Sequence, residues 1–136
     1  MTLADFAGCW QVARVIADQR AGQTGRFDGQ AVLSPLGADR LEYRETGQMR
    51  LGDGPVLAAS RCYHWQFQGG LVQVAFADGR PFHSFVPGVS GAGTDHICGD
   101  DLYRVEYGFS AWPAWTARWQ VAGPRKEYAL DSRYWR

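Results

Sequence analysis

Charge of one sign is what this chain lacks. Its 136 residues carry 14 Lys and Arg against 14 Asp and Glu, a formal net charge of zero. The basic residues are scattered, with no long run among them. A nucleic-acid binder needs a basic face that displaces counterions, so no nucleic-acid partner is expected. No apolar run approaches the roughly 20 residues of a membrane-spanning helix, so no membrane span is expected. Residues 1–20 show no basic stretch followed by an apolar one. That pattern would mark a secretory signal, and without it a cytoplasmic location is expected. Cysteine is scarce and odd in number: Cys9, Cys62 and Cys98. Such a set reads as reduced thiols and not as a disulfide framework. No linker, repeat or low-complexity segment interrupts the chain, and its length suits one domain over 1–136.

What is plentiful is aromatic residues and glycine: 6 Trp, 6 Tyr, 7 Phe and 17 Gly. Aromatics favour strands, and glycine suits tight turns. Helical periodicity is confined to the start, where Thr2 and Asp5 have capping-box spacing and predict a short helical turn. From there the pattern alternates. One face of the first strand carries Trp10, Val12, Arg14 and Ile16, and one face of the second carries Phe27, Gly29, Ala31 and Leu33. The third points Leu41, Tyr43, Glu45 and Met49 inward. The fourth groups Arg61, Tyr63, Trp65 and Phe67. Gly69-Gly70 and Asp78-Gly79 are hairpin signals. Further strands are expected at 71–76, 81–86, 96–98, 101–109, 114–121 and 126–135, with 87–93 as the one flexible loop. The expected fold is all-β: an antiparallel up-and-down barrel of 8–10 strands with a short N-terminal helix. A two-sheet sandwich fits the same letters, but sequential hairpins favour closure, which also removes exposed edges.

The Gly8-Cys9-Trp10 start, preceded by a helical turn and answered by basic residues on the last strand, resembles the calycin superfamily of lipocalins, fatty-acid-binding proteins and their bacterial relatives. The resemblance implies a Trp that closes one barrel end and packs on a basic side chain near the C-terminus. Arg133 is the expected cation–π partner and Arg136 the second choice. Gly8 would let the helical turn approach the strand. Four segments are similar to a narrower family of small uncharacterised barrels, classed as a domain of unknown function. They are Phe6-Ala7-Gly8-Cys9-Trp10, Asp78-Gly79-Arg80-Pro81-Phe82-His83-Ser84-Phe85, His96-Ile97-Cys98-Gly99-Asp100-Asp101-Leu102-Tyr103 and Trp119-Gln120-Val121-Ala122-Gly123-Pro124-Arg125-Lys126. That resemblance implies no activity.

A barrel of this size has an inside, and charged side chains have the parity to reach it. Buried charge must be paired or neutralised. Arg14 or Arg61 could pair with Glu45 as an internal network. Alternatively, unpaired cations could await a ligand anion, which the Arg-and-Tyr set of fatty-acid-binding barrels implies for Lys126 and Tyr128. The expected function is therefore to hold a small, partly apolar ligand with a polar or acidic head. The candidate contacts are Arg14, Tyr43, Arg61, His83, His96, Tyr103, Trp119, Lys126 and Tyr128. Trp10, Phe76 and Trp115 are expected as further walls.

Two other classes compete. Asp100 and Asp101 sit with His96 at one strand mouth, and a centre of His96, Asp101 and Tyr103 could do acid–base chemistry on a small molecule. Trp112 and Trp135 could plug a barrel end or form an aromatic patch for a partner such as a second copy of the chain. Cys62-x-His64 and His96-x-Cys98 would make a Cys2His2 zinc set only if their strands were adjacent. Haem ligation by one of the three histidines is implied only by some relatives in the superfamily. Neither a metal nor a cofactor is assigned. Ser90 misses the nucleophile-elbow pattern at its last position, and Gly91-x-Gly93 lacks the rest of a dinucleotide fingerprint.

Overall fold

The computed structural model describes residues 1–136. The chain opens with one helical turn, α1 (Leu3–Phe6). The Asp5 carboxylate accepts a hydrogen bond from the Thr2 backbone N–H at 2.7 Å, as the capping spacing predicts. Eleven strand segments follow: β1 (Gly8–Asp18), β2 (Gln23–Pro35), β3 (Arg40–Leu51), β4 (Leu57–Gln68), β5 (Leu71–Phe76), β6 (Pro81–Phe85), β7 (Gly91–Ala92), β8 (His96–Cys98), β9 (Asp101–Gly108), β10 (Trp115–Ala122) and β11 (Glu127–Trp135). The count exceeds the expected range through β7, a segment of only 2 residues inside the expected loop, whereas β8 falls on the strand expected at 96–98.

Every pairing is antiparallel, in the order β6-β5-β4-β3-β2-β1-β11-β10-β9-β7, with β8 also on β9. The β1–β11 ladder sets Arg14 opposite Ser132 and joins the two ends of the chain, which rolls the meander into a barrel. The last gap lies between β6 and the chain after β7. It is bridged at one residue pair, where Thr94 N–H donates to the Ser84 carbonyl at 2.9 Å and Ser84 N–H donates to Thr94 Oγ1 at 2.8 Å. The barrel is thus nearly closed.

Inward parity holds along the long strands. Trp10, Val12 and Arg14 of β1, Phe27, Ala31 and Leu33 of β2, and Leu41, Tyr43 and Glu45 of β3 are all buried. β6 breaks the rule. The β5–β6 register slips between Val74 and Ala75, pairing Val74 with His83 and Ala75 with Pro81. Phe82 is the extra residue, and such a bulge re-aims side chains.

One end of the barrel is plugged. Phe6 packs edge-on against Trp112 at 5.2 Å and Trp115 at 5.7 Å, and Trp10 meets Trp115 at 5.9 Å. Trp112 is therefore part of the plug. The cation on Trp10 is Arg136, whose guanidinium carbon lies 4.0 Å from the ring centroid; Arg133 instead lies over Trp135 at 4.8 Å. The expected partner is corrected by geometry. Arg133 pairs with Ala13 in register and points outward, whereas the residue just beyond β11 can wrap the barrel end. The loop expected to be flexible is pinned at this same end. Gly91 pairs with Tyr107, and Ser90 Oγ accepts the Phe109 N–H at 2.9 Å.

Candidate ligand-binding cavity

Behind the plug the barrel holds a cavity of about 550 Å³ that opens at the opposite end. Its volume falls in the range of small-molecule sites. Its inner part is polar. Arg14 on β1 donates from Nη1 and Nη2 to the two Glu45 carboxylate oxygens at 2.8 and 2.7 Å, a bidentate pair reaching from β1 to β3. Arg14 Nε donates to Ser132 Oγ at 2.6 Å. Tyr43 O–H donates to Glu45 Oε1 at 2.6 Å, and the Tyr43 and Tyr134 hydroxyls meet at 2.9 Å. Both charged side chains are almost fully buried. Burial opposes the Arg14 charge, yet the hydrogen bonds to Glu45 hold its pKa above the ordinary guanidinium value. Burial likewise opposes the Glu45 charge, but the bonds from Arg14 and Tyr43 keep its pKa below the usual carboxylate range. Burial pushes the Tyr43 phenol well up, with Tyr134 and Glu45 adding to it. Arg14, Glu45 and Tyr43 therefore form the internal network that parity allowed.

The middle of the cavity is aromatic. Phe82 stacks on Trp119 at 4.9 Å and 10°, and on Phe76 at 4.6 Å and 22°. Tyr63 also stacks near Phe82, with ring centroids 5.6 Å apart. His83 meets Trp119 edge-on at 4.7 Å, and its Nε2 bonds the Tyr107 hydroxyl at 2.7 Å. Burial, aided by the nearby His96, depresses the His83 pKa to about 3, so the ring is neutral at physiological pH. Two buried polar atoms on the lining have no hydrogen-bond partner: His83 Nδ1 and Trp115 Nε1. A buried N–H without an acceptor costs about 1–3 kcal/mol, and no protein atom serves these two positions on the cavity wall.

Arg61, Arg80, Ile97 and Cys98 border the mouth. Arg80 is held by Asp78 at 2.8 Å and lies 5.4 Å over the Phe76 ring. Arg61 stands opposite Glu45 in register but forms no ion pair; the Glu45 carboxylate is paired with Arg14.

The residues singled out in the sequence divide accordingly. Arg14, Tyr43, Arg61, His83, His96, Tyr103, Trp119 and Tyr128 all line the cavity, as do Phe76 and Trp115. Burial and the neighbouring Tyr103 push the Tyr128 phenol up to about 12. Trp10 lies in the plug below the lining, with its Nε1–H donated to the Phe6 carbonyl at 2.8 Å. Lys126 lies outside the lining, where its Nζ contacts Asp101 Oδ2 at 3.2 Å on the rim. That contact engages the Asp101 carboxylate. Only His96 and Tyr103 of the acid–base trio meet, ring against ring at 5.8 Å, with no hydrogen bond from either to Asp101. The Cys2His2 arrangement does not form: Cys62 and His64 lie on the outer wall of β4, while His96 and Cys98 belong to the cavity. Phe82 and Tyr134 were not named as contacts in the sequence. Strand parity with Ser132 and Leu130 could have found Tyr134; the bulge hides Phe82.

One sequence profile covers almost the whole of this barrel, matching residues 6–136. The chain belongs to DUF6314, a family of unknown function. No curated protein matches it. Solved structures share the fold at low identity. An S-type phycobiliprotein lyase from Guillardia theta superposes with a TM-score of 0.60 at 8% identity, over 97% of this chain and 87% of that one. A DUF3598 protein of unknown function from Nostoc punctiforme gives 0.57 at 8% identity, with 98% of this chain matching 48% of that longer one. A redesigned β-barrel, mFAP1, bound to DFHBI, gives 0.50 at 14% identity over 99% and 98% of the two chains. At such identities these likenesses establish the architecture only.

Proposed function

We propose that this DUF6314 protein binds one small, partly apolar ligand inside its barrel, with a polar or acidic head near Arg61. The observation that carries the reading is the cavity of about 550 Å³ whose lining retains unpartnered His83 Nδ1 and Trp115 Nε1. A structural core would fill such a space or satisfy those atoms. The rings of Phe76, Phe82, Trp119 and Tyr63 supply apolar contact, and Arg61 supplies an uncommitted positive charge at the mouth. Its fork geometry suits a carboxylate or a similar anion. That mFAP1 is bound to DFHBI supports the capacity of this architecture for a small molecule. The three free thiols fit a reducing, cytoplasmic setting.

The test is titration with the anionic aromatic probe 1-anilinonaphthalene-8-sulfonate, with native mass spectrometry of the protein as isolated. The expected result is saturable one-to-one binding that Arg61→Gln weakens about tenfold, the loss of one charged contact. Absence of saturable binding, or binding indifferent to both Arg61→Gln and a cavity-filling Ala117→Leu, overturns the reading.

A further inference from the structure

The outer wall carries a second cluster that the cavity does not use. Glu42 on β3 stands directly opposite His64 on β4, and Cys62 lies two residues before His64 on the same strand. Two residues apart on a strand means the same face, so all three side chains leave the barrel together. Their ligand atoms lie within 4.8 Å of one another, and each side chain is partly buried. The flanking positions are small: Ser34 pairs with Glu42 from β2, and Ala75 pairs with His64 from β5. Arg44, which pairs with Cys62 from β3, flanks the cluster on its remaining side.

We propose that Glu42, Cys62 and His64 form a surface site for a zinc-like divalent cation. The donor set is one thiolate, one imidazole and one carboxylate, the mixture that suits borderline metals over calcium or magnesium. Bond lengths of about 2.0–2.3 Å put tetrahedral ligand pairs about 3.5 Å apart, so from separations within 4.8 Å the ligand atoms need approach by no more than about 1.3 Å. Thiolate and carboxylate together balance the dication. Three protein ligands leave a fourth position facing solvent, which water or a donor from another molecule can fill. Arg44 is the competitor. Its Nε holds Glu42 Oε1 at 3.2 Å, so the cation must share that carboxylate or displace the guanidinium. The sheet fixes the backbone of all three ligands, which limits the ordering cost of binding.

Cobalt(II) titration of the reduced protein tests this site. The expected result is one equivalent bound, with thiolate-to-cobalt charge-transfer absorption and tetrahedral ligand-field bands, and displacement of the cobalt by zinc. Cys62→Ser should abolish the charge-transfer band, and His64→Ala should weaken binding at least tenfold. Arg44→Ala should tighten it by freeing Glu42, and Cys9→Ser and Cys98→Ser should leave the cobalt spectrum unchanged. No charge-transfer band at saturating cobalt, or a band that survives Cys62→Ser or vanishes with Cys98→Ser, overturns the proposal. Circular dichroism of each variant is the check that it is folded. The cluster is separated from the cavity by the barrel wall, so probe binding inside the barrel is read independently of the metal.

Discussion

The Arg136 guanidinium carbon lies 4.0 Å from the Trp10 ring centroid, and its Nη1 and Nη2 donate to the Ala7 and Asp5 carbonyls at 2.9 Å each. The final residue therefore locks the first helical turn onto the barrel end. Arg136→Ala should destabilise the fold by about 1.5–4 kcal/mol, from an exposed cation–π contact of about 0.5–1 kcal/mol and two solvent-accessible hydrogen bonds of about 0.5–1.5 kcal/mol each. Arg133→Ala should change thermal stability far less, since that side chain only covers Trp135. Gly8→Ala should also destabilise, because Gly8 sits at φ +122° and an added Cβ would lie 3.2 Å from Arg136 Nη1. Thermal melts of the three variants check the ranking, and equal losses for Arg136→Ala and Arg133→Ala would refute it.

Removing half of the Arg14–Glu45 pair should be severe. Glu45→Gln leaves a buried guanidinium without its counter-charge, an expected cost of about 3–5 kcal/mol. Replacing both, as Arg14→Met with Glu45→Leu, should recover most of that loss because no unpaired charge remains buried. Urea unfolding of the single and double variants measures the coupling; purely additive losses would mean that the two side chains do not act as a unit.

Acid should weaken the protein in two steps. His83 is neutral in the folded state down to about pH 3 but titrates at its ordinary 6.5 when unfolded. Below 6.5 the unfolded chain takes up a proton that the native one refuses, so stability falls as pH drops from 6.5 towards 3, by at most about 4–5 kcal/mol. Glu45, with a depressed native pKa, contributes stability that is lost only below the ordinary carboxylate range. His83→Phe should therefore flatten the stability profile between pH 6.5 and 5 and leave the later acid loss in place. An unchanged slope in that window would count against a neutral, desolvated imidazole.

Ala117 is a small buried residue on the cavity wall. Ala117→Leu should take up free volume and weaken probe binding at least tenfold while thermal stability is held or raised. Undiminished binding with an unchanged melt would mean that the probe sits elsewhere.

Much of the architecture was legible because period-2 alternation and glycine turns are local signals. The inward faces of β1 to β4, the hairpins at Gly69-Gly70 and Asp78-Gly79, and the cavity positions of Arg14, Arg61 and Tyr128 follow from parity and turn chemistry alone. Parity could not choose between Arg14 and Arg61 as the partner of Glu45. Both can reach the interior, and only the register across β1, β2, β3 and β4 decides that Arg14 makes the bidentate pair.

The order of polar, aromatic and glycine residues determined by itself that this chain forms an antiparallel meander with an inside and an outside. The tertiary structure decided the rest: that Arg136 and not Arg133 caps Trp10, that Lys126 spends its charge on Asp101 at the rim, that a bulge turns both Phe82 and His83 towards the cavity, and that Glu42 joins Cys62 and His64 on the outer wall. Each of these depends on strand register or on how a chain end wraps, set by side chains far apart in sequence, and no local pattern encodes such distances.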